Sequence, residues 1–200
     1  MLKILLASQN SGKLREMQFI LRDLPIQIIT PAEIGIRLQV EETGKTYAEN
    51  AALKAKAYAK ASGLIALGDD SGLEVDALNG EPGLYSARYA PAPDANDADR
   101  RAFLLKNLRG IPQPWKARFH ASIAIAQPDG KIHFTGGICE GEIIPEERGT
   151  GGFGYDPIFY LPEMGRTMAE LSEDEKNRLS HRAKALEKAK SFLRGQNGLF

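Results

Sequence analysis

The chain has 200 residues, 42% hydrophobic and 26% charged, with 26 lysines and arginines against 26 aspartates and glutamates. A chain of that length and composition buries a substantial core in one domain, and its balanced charge gives no global electrostatic case for binding nucleic acid or a membrane surface. The single cysteine, Cys139, excludes an internal disulfide and reads as a small buried residue, no apolar run reaches the length of a bilayer span, and the amino terminus enters a strand pattern directly without a signal-peptide layout, so the expected compartment is the cytoplasm.

Residues 2 to 7 form a nearly continuous apolar run, which predicts a strand buried on both faces. Asn10 then stands as a helix N-cap, and Leu14, Met17, Ile20 and Leu21 recur at helical spacing until Pro25. Ile26 to Thr30 predicts a second strand, completing a βαβ-like opening whose first loop, Ser8-Gln9-Asn10-Ser11-Gly12-Lys13, lies where open α/β sheets bind ligands. Thr46 and Glu49 predict a capping box for a helix that runs to about Ser62 and ends at Gly63. The strand from Leu64 to Gly68 then delivers Asp69 and Asp70 to its carboxyl end. The proline- and glycine-rich stretch 80–96 predicts a long loop, and Ala98 to Leu108 a helix. Ala117 to Gln127 and Lys131 to Gly141 flank Pro128-Asp129-Gly130, the signature of a long hairpin. A single final helix opens on the capping box Ser172 to Glu175 and runs to about Leu193.

Several of these segments carry chemistry. Backbone N–H groups at the start of the first helix, with Lys13, suit an anion such as phosphate. The loop superficially resembles a P-loop but lacks its opening glycine and the hydroxyl residue after the lysine, which disfavours a Walker-type NTPase. Successive residues of an extended strand point to opposite faces, so one of Asp69 and Asp70 is expected at the site while the other supports a turn. Carboxylates also cluster at Glu41-Glu42, and hard oxygen ligands on separate segments near a phosphate loop suit Mg²⁺, while a carboxylate beside such an ion suits deprotonation of water. Acidic turns of this kind commonly serve as solvated caps. Gly151-Gly152-Phe153-Gly154-Tyr155-Asp156-Pro157 combines backbone freedom, rings for stacking and a carboxylate for ring N–H groups, the needs of a nucleobase pocket; an aromatic-anchored turn is the plainer alternative. Lys176 and Arg182 are six residues apart and do not share one face of an unbroken helix, so both reach one ligand only if the helix is broken or starts near it.

Taken in order, Ser8 to Lys13, Glu41-Glu42-Thr43-Gly44, Glu49-Asn50-Ala51 with Lys54, Asp69-Asp70-Ser71-Gly72, Gly83 to Arg88, Gly149 to Pro157 and Ser180-His181-Arg182 resemble the motifs of the inosine/xanthosine triphosphate pyrophosphatase family over almost the whole chain. The resemblance implies one domain over 1–200: an elongated two-lobed α/β fold, a mixed sheet flanked by helices, with a nucleotide cleft between the lobes. It implies homodimers, and Mg²⁺-dependent hydrolysis of ITP, dITP and XTP to the monophosphate and pyrophosphate. Carried over residue by residue, Ser8, Gln9, Asn10, Ser11, Gly12 and Lys13 hold the phosphates, with Lys54 a further candidate. Asp70 is proton acceptor and metal ligand, Glu42 is the second metal carboxylate with Glu41 as the alternative, and Ser71 contacts substrate. Phe153, Gly154, Tyr155, Asp156, Lys176, His181 and Arg182 enclose the base. The chain departs from many relatives at Gln9, where they carry glycine; a positive φ there would strain glutamine. Two other readings stay open, a nucleotide-binding sensor without hydrolysis and a pyrophosphatase for modified pyrimidine or methylated nucleotides.

Overall fold

The computed structural model describes residues 1–196; the remaining four, the end of the expected 1–200 domain, lie outside the described residues. The elements of most consequence are β1 (Leu2–Leu6), α1 (Ser11–Ile20), β2 (Ile26–Ile29), α2 (Tyr47–Ser62), β3 (Ile65–Val75), α3 (Asp97–Leu108), β4 (Trp115–Ala126), β5 (Ile132–Ile143), β6 (Phe159–Leu161), β7 (Arg166–Thr167), α4 (Glu173–Leu179) and α5 (His181–Gln196). The strands form a seven-stranded mixed sheet in the order β2-β1-β3-β4-β5-β6-β7. β1 runs parallel to β2 and β3, with Leu5 opposite Ile29 and Ala66, whereas β6 is antiparallel to both β5 and β7. The α/β class and the βαβ opening are therefore as the sequence indicates.

The described chain divides into two compact units, residues 1–70, 121–137 and 181–196 forming the first and residues 71–120 and 138–180 the second. In the first unit, strand alternation decides which helix covers which face. Ile4, Leu6, Ile65 and Leu67 pack with Met17 and Ile20 of α1 and with Ala185, Leu186 and Ala189 of α5. Leu5, Ala7 and Ala66 turn to the other face, against Ala51, Ala55, Tyr58 and Ala59 of α2. The small residues of α2 allow unusually close packing: a Cβ on Gly68 of β3 would overlap the carbonyl oxygen of Ala51. In the second unit, Leu73, Val75, Leu104, Leu108, Trp115, Phe119, Tyr155, Ile158 and Phe159 share one core, and Cys139 is buried within it, as its type suggested.

Four expectations are corrected. Asp69 and Asp70 lie in the middle of β3, because the strand continues through Ser71-Gly72 to Val75 rather than stopping at Gly68. Asp69 supports no turn; it is fully buried and ion-paired. Thr46 caps α2 by accepting from the Glu49 N–H, but the Glu49 carboxylate reaches the N–H of Lys45 instead of that of Thr46, so the reciprocal half of the capping box is displaced by one residue. The final helix is two helices, because Ser180 adopts extended backbone (φ −63°, ψ 157°) between α4 and α5. The predicted loop at 80–96 also contains a 3-10 segment, Gly83–Arg88.

Candidate active site

The first loop is built by its own side chains. Asn10 caps α1 by accepting from the Lys13 N–H at 3.0 Å, and Ser8 Oγ accepts from the Asn10 N–H at 3.2 Å. Among the described residues Asn79 is the one non-glycine with positive φ, so Gln9 carries no such strain. Ser8, Gln9, Asn10, Ser11 and Leu14 line one wall of a cavity of about 810 Å³, whose other wall runs from Thr30 to Gln39. That volume lies in the range of small-ligand sites. Sequence reading missed the 30–39 wall, which holds neither a phosphate motif nor a charge cluster.

Lys13 turns from this loop to Asp69, donating to Oδ1 at 2.6 Å. Asp69 Oδ2 accepts from Arg182 Nε at 2.6 Å, and Arg182 Nη1 donates to Glu16. These side chains form an alternating row, Lys13, Asp69, Arg182 and Glu16, that starts at the end of the first loop. Burial opposes ionisation of Asp69, but the Arg182 and Lys13 charges outweigh it and hold the carboxyl far below the usual aspartate range. Burial also lowers the Lys13 pKa, with Asp69 opposing the shift. Arg182 is 1% exposed and the structure commits it to Asp69 and Glu16; Glu16, a partner no motif announced, is 8% exposed. His181 heads α5 and is buried beside it.

Asp70 points to the opposite face of β3, toward α2. Asn50 Nδ2 donates to Asp70 Oδ2 at 3.1 Å, while Lys54, one turn along the helix, donates to Asp70 Oδ1 at 3.5 Å and to Glu42 Oε1 at 2.6 Å. Burial raises the Asp70 pKa, Lys54 and Lys13 pull it down, and Glu42 adds to the rise. The result is a carboxyl less acidic than free aspartate, in contrast to its neighbour. Among the described residues no three His, Cys, Asp or Glu side chains gather as a metal cluster. Asp70 and Glu42 with one ammonium between them are instead a pair of hard donors already arranged around a cation. That donor set fits Mg²⁺, which takes one or two protein carboxylates and completes its shell with water and phosphate.

The glycine- and aromatic-rich loop belongs to the second unit. Asp156 Oδ2 accepts from the Phe153 N–H at 2.8 Å and from Lys176 Nζ at 2.6 Å. Gly152 has φ +73° and a Cβ there would overlap the Asp156 carboxylate, so the turn requires glycine on both counts. Gly154 is held at both ends, its N–H by Asp97 at 2.7 Å and its carbonyl by Arg101 at 2.8 Å, anchors that no sequence motif indicated. The Lys176 ammonium stands 4.7 Å from the centroid of the half-buried Phe153 ring. Tyr155 does not join this surface: it is 4% exposed, its hydroxyl donates to the Ser86 carbonyl at 2.9 Å, and burial raises its pKa. Ser71, half-buried on β3, belongs to this unit as well. The predicted residues thus fall into two groups, Ser8 to Lys13, Glu42, Lys54, Asp70, His181 and Arg182 in the first unit and Ser71, Phe153 to Asp156 and Lys176 in the second.

Known proteins resemble this chain along nearly its whole length. The model of the Ham1 family matches residues 4–192. A dITP/XTP pyrophosphatase of Desulforamulus reducens is 50% identical over 193 residues, 96% of each chain, and one of Thermus thermophilus is 50% identical over 186 residues, 92% of this chain and 88% of that one. A solved Ham1 protein from Coxiella burnetii superposes with a TM-score of 0.88 at 48% identity, covering 96% of this chain and 98% of its own. With a family model spanning its length and relatives at half identity, the chain belongs to the Ham1 family.

Proposed function

We propose that this protein hydrolyses non-standard purine nucleoside triphosphates, ITP, dITP and XTP, to the monophosphate and pyrophosphate, clearing deaminated purines from the nucleotide pool. The observation that carries the reading is the Asp70 carboxyl, held by Asn50 and Lys54 with Glu42 beside it, in a chain half identical to dITP/XTP pyrophosphatases. In the reaction, the oxygen of a water forms a bond to the α-phosphorus, its proton passes to Asp70, and the bond from the α-phosphorus to the bridging oxygen breaks to release pyrophosphate. A raised pKa suits Asp70 to accept that proton. The Ser8 to Lys13 loop binds the phosphates, and Lys13 and Lys54 offset the charge that develops on the departing group. Asp70 and Glu42 would hold Mg²⁺, which would supply further charge neutralisation on the phosphates.

Base selection is assigned to the second unit's loop. Phe153 offers a ring face, and Lys176 a donor that pairs with the C6 oxygen of hypoxanthine or xanthine but not with the C6 amino group of adenine. His181 is a further base contact by family resemblance, whereas Arg182 acts through Asp69. The same resemblance supports a homodimer, and the single, unbridged cysteine suits a reducing cytoplasm. No helix among the described residues is long and apolar enough to cross a membrane.

The test is pyrophosphate release by the purified protein with Mg²⁺, comparing ITP and XTP with ATP and GTP. Release confined to ITP and XTP is expected, and Asp70→Asn should abolish it while leaving the melting temperature near that of the parent. Binding of ITP with no pyrophosphate released would instead support the sensor reading, and release from modified pyrimidine or methylated nucleotides the third.

A further inference from the structure

We propose that Asn50 is a positioning residue for this reaction, a clamp that holds the Asp70 carboxylate and the Glu42 loop in one fixed relation. The inference rests on the hydrolase reading and turns the Asn50 contact to Asp70 from a bond noted there into a defined role.

Asn50 is 1% exposed on α2, on the stripe formed by Tyr47, Ala51, Ala55, Tyr58 and Ala59 that packs against the sheet. A buried amide on an apolar stripe must have its hydrogen bonds made, and both ends of this one are used. Its Oδ1 accepts from the Gly44 N–H at 2.8 Å, and its Nδ2 donates to Asp70 Oδ2 at 3.1 Å. The Gly44 bond fixes which end of the amide is which. Oδ1 must face an N–H, so the donor end must face Asp70, and the carboxylate is left with Oδ1 toward Lys54. One side chain therefore sets both the turn that carries Glu42 and the rotation of the Asp70 carboxylate.

Two glycines permit this close arrangement. A Cβ on Gly44 would stand 2.7 Å from Asn50 Oδ1 and 2.9 Å from Asn50 N, so any larger residue pushes the loop away from the amide. A Cβ on Gly68 would overlap the Ala51 carbonyl, so only glycine lets α2 sit close enough to β3 for the amide to reach Asp70 two residues later. The two hydrogen bonds come from separate segments of the first unit and converge on one amide.

Asn50→Asp separates a clamp from a loop anchor. The aspartate keeps the size and an oxygen for the Gly44 N–H, but in its ionised form has no donor for Asp70. Asn50→Leu loses both bonds, and Gly44→Ala disturbs the loop side alone. A misplaced reacting group costs up to about 10²-fold in rate, so Asn50→Asp and Asn50→Leu should each lower kcat for ITP about 10- to 100-fold with KM within about threefold. Gly44→Ala should lower kcat too, and its effect should not add to that of Asn50→Leu, since both break one link. Melting temperatures of all variants are measured alongside; if Asn50→Leu does not fold, Asn50→Asp and Gly44→Ala decide the matter. Wild-type turnover by Asn50→Asp, or additive effects in the double variant, overturns the clamp. A parent protein that releases no pyrophosphate overturns the hydrolase reading, and the clamp with it, which is distinct from a working parent with unaffected variants.

Discussion

Asp69 and Asp70 are adjacent in sequence and opposite in chemistry, and the pleat of β3 is the reason. The side chain of Asp69 enters the face covered by α1 and α5, where Arg182 and Lys13 meet it at 2.6 Å each; that of Asp70 enters the face covered by α2, where its hydrogen-bond donors are an amide and a longer contact to Lys54. One carboxyl is thereby held ionised and structural, and the other is raised toward proton acceptance. Breaking a buried pair from one side leaves the other charge without compensation, at a cost of about 3–5 kcal/mol. Asp69→Asn should therefore destabilise the protein by about that amount, read from urea unfolding, because it strips Arg182 and Lys13 of a shared anion. A loss below about 1 kcal/mol would show that Glu16 and the other neighbours compensate Arg182 and Lys13 without Asp69. The sequence motif announced both aspartates, and strand alternation separated them correctly. It did not announce that Arg182, more than a hundred residues later, completes the Asp69 pair, because side-chain partnership across such a separation is set by packing and leaves no local pattern.

The carboxyl-terminal helices illustrate what an element's sequence does and does not disclose. Helical periodicity runs on from Glu173 past Leu193 without proline, and the single interior glycine, Gly195, lies beyond that span, so nothing in composition breaks it. The break is at Ser180, a residue type favoured where helices begin, and the serine before His181 was the available signal. α4 is only seven residues long and depends on its cap: the Ser172 side chain accepts from the Glu175 N–H, and Glu175 accepts from the Ser172 N–H at 2.9 Å and from Arg166 at 2.6 Å. Those bonds, led by that from Arg166, lower the Glu175 pKa from 4.5 to about 2. A carboxyl depressed in the folded state contributes stability that is complete above its unfolded value and is lost as pH falls toward the folded one. The melting temperature of Glu175→Gln should thus lie below that of the parent at pH 6, with the gap closing as pH drops from 4.5 toward 2. A gap that stays constant across that range would mean the carboxylate charge contributes nothing to α4. The Thr46 cap shows the converse case, in which a predicted box forms its first bond and places the second one residue upstream.

Across the whole molecule, the division into units falls within β3, β4 and β5 and between α4 and α5, so each unit is assembled from segments far apart in the chain. Linear order therefore revealed the motifs but not their grouping. The loop Ser8 to Lys13, Asp70, Glu42 and Lys54 collect in the first unit, whereas Phe153, Asp156 and Lys176 collect in the second. That separation predicts two kinds of damage. On the proposed mechanism, Asp70→Asn should lower turnover of every nucleotide by the same factor, since it removes the carboxylate assigned to accept the proton and leaves the second unit's loop unchanged. Lys176→Met should instead act on the choice between bases. A hydrogen bond to a charged donor contributes about 1.5–3 kcal/mol, so its loss should reduce the ratio of kcat/KM for ITP over ATP about 10- to 100-fold. Because Lys176 also pairs with buried Asp156, Lys176→Met is compared with Asp156→Asn, which breaks the same pair at 2.6 Å but retains the ammonium. If Asp156→Asn keeps the ITP preference while Lys176→Met loses it, the ammonium reads the base. If both variants lose activity toward ITP and ATP in equal measure, the pair serves only to hold the loop, and discrimination must come from another group, with His181 the remaining candidate.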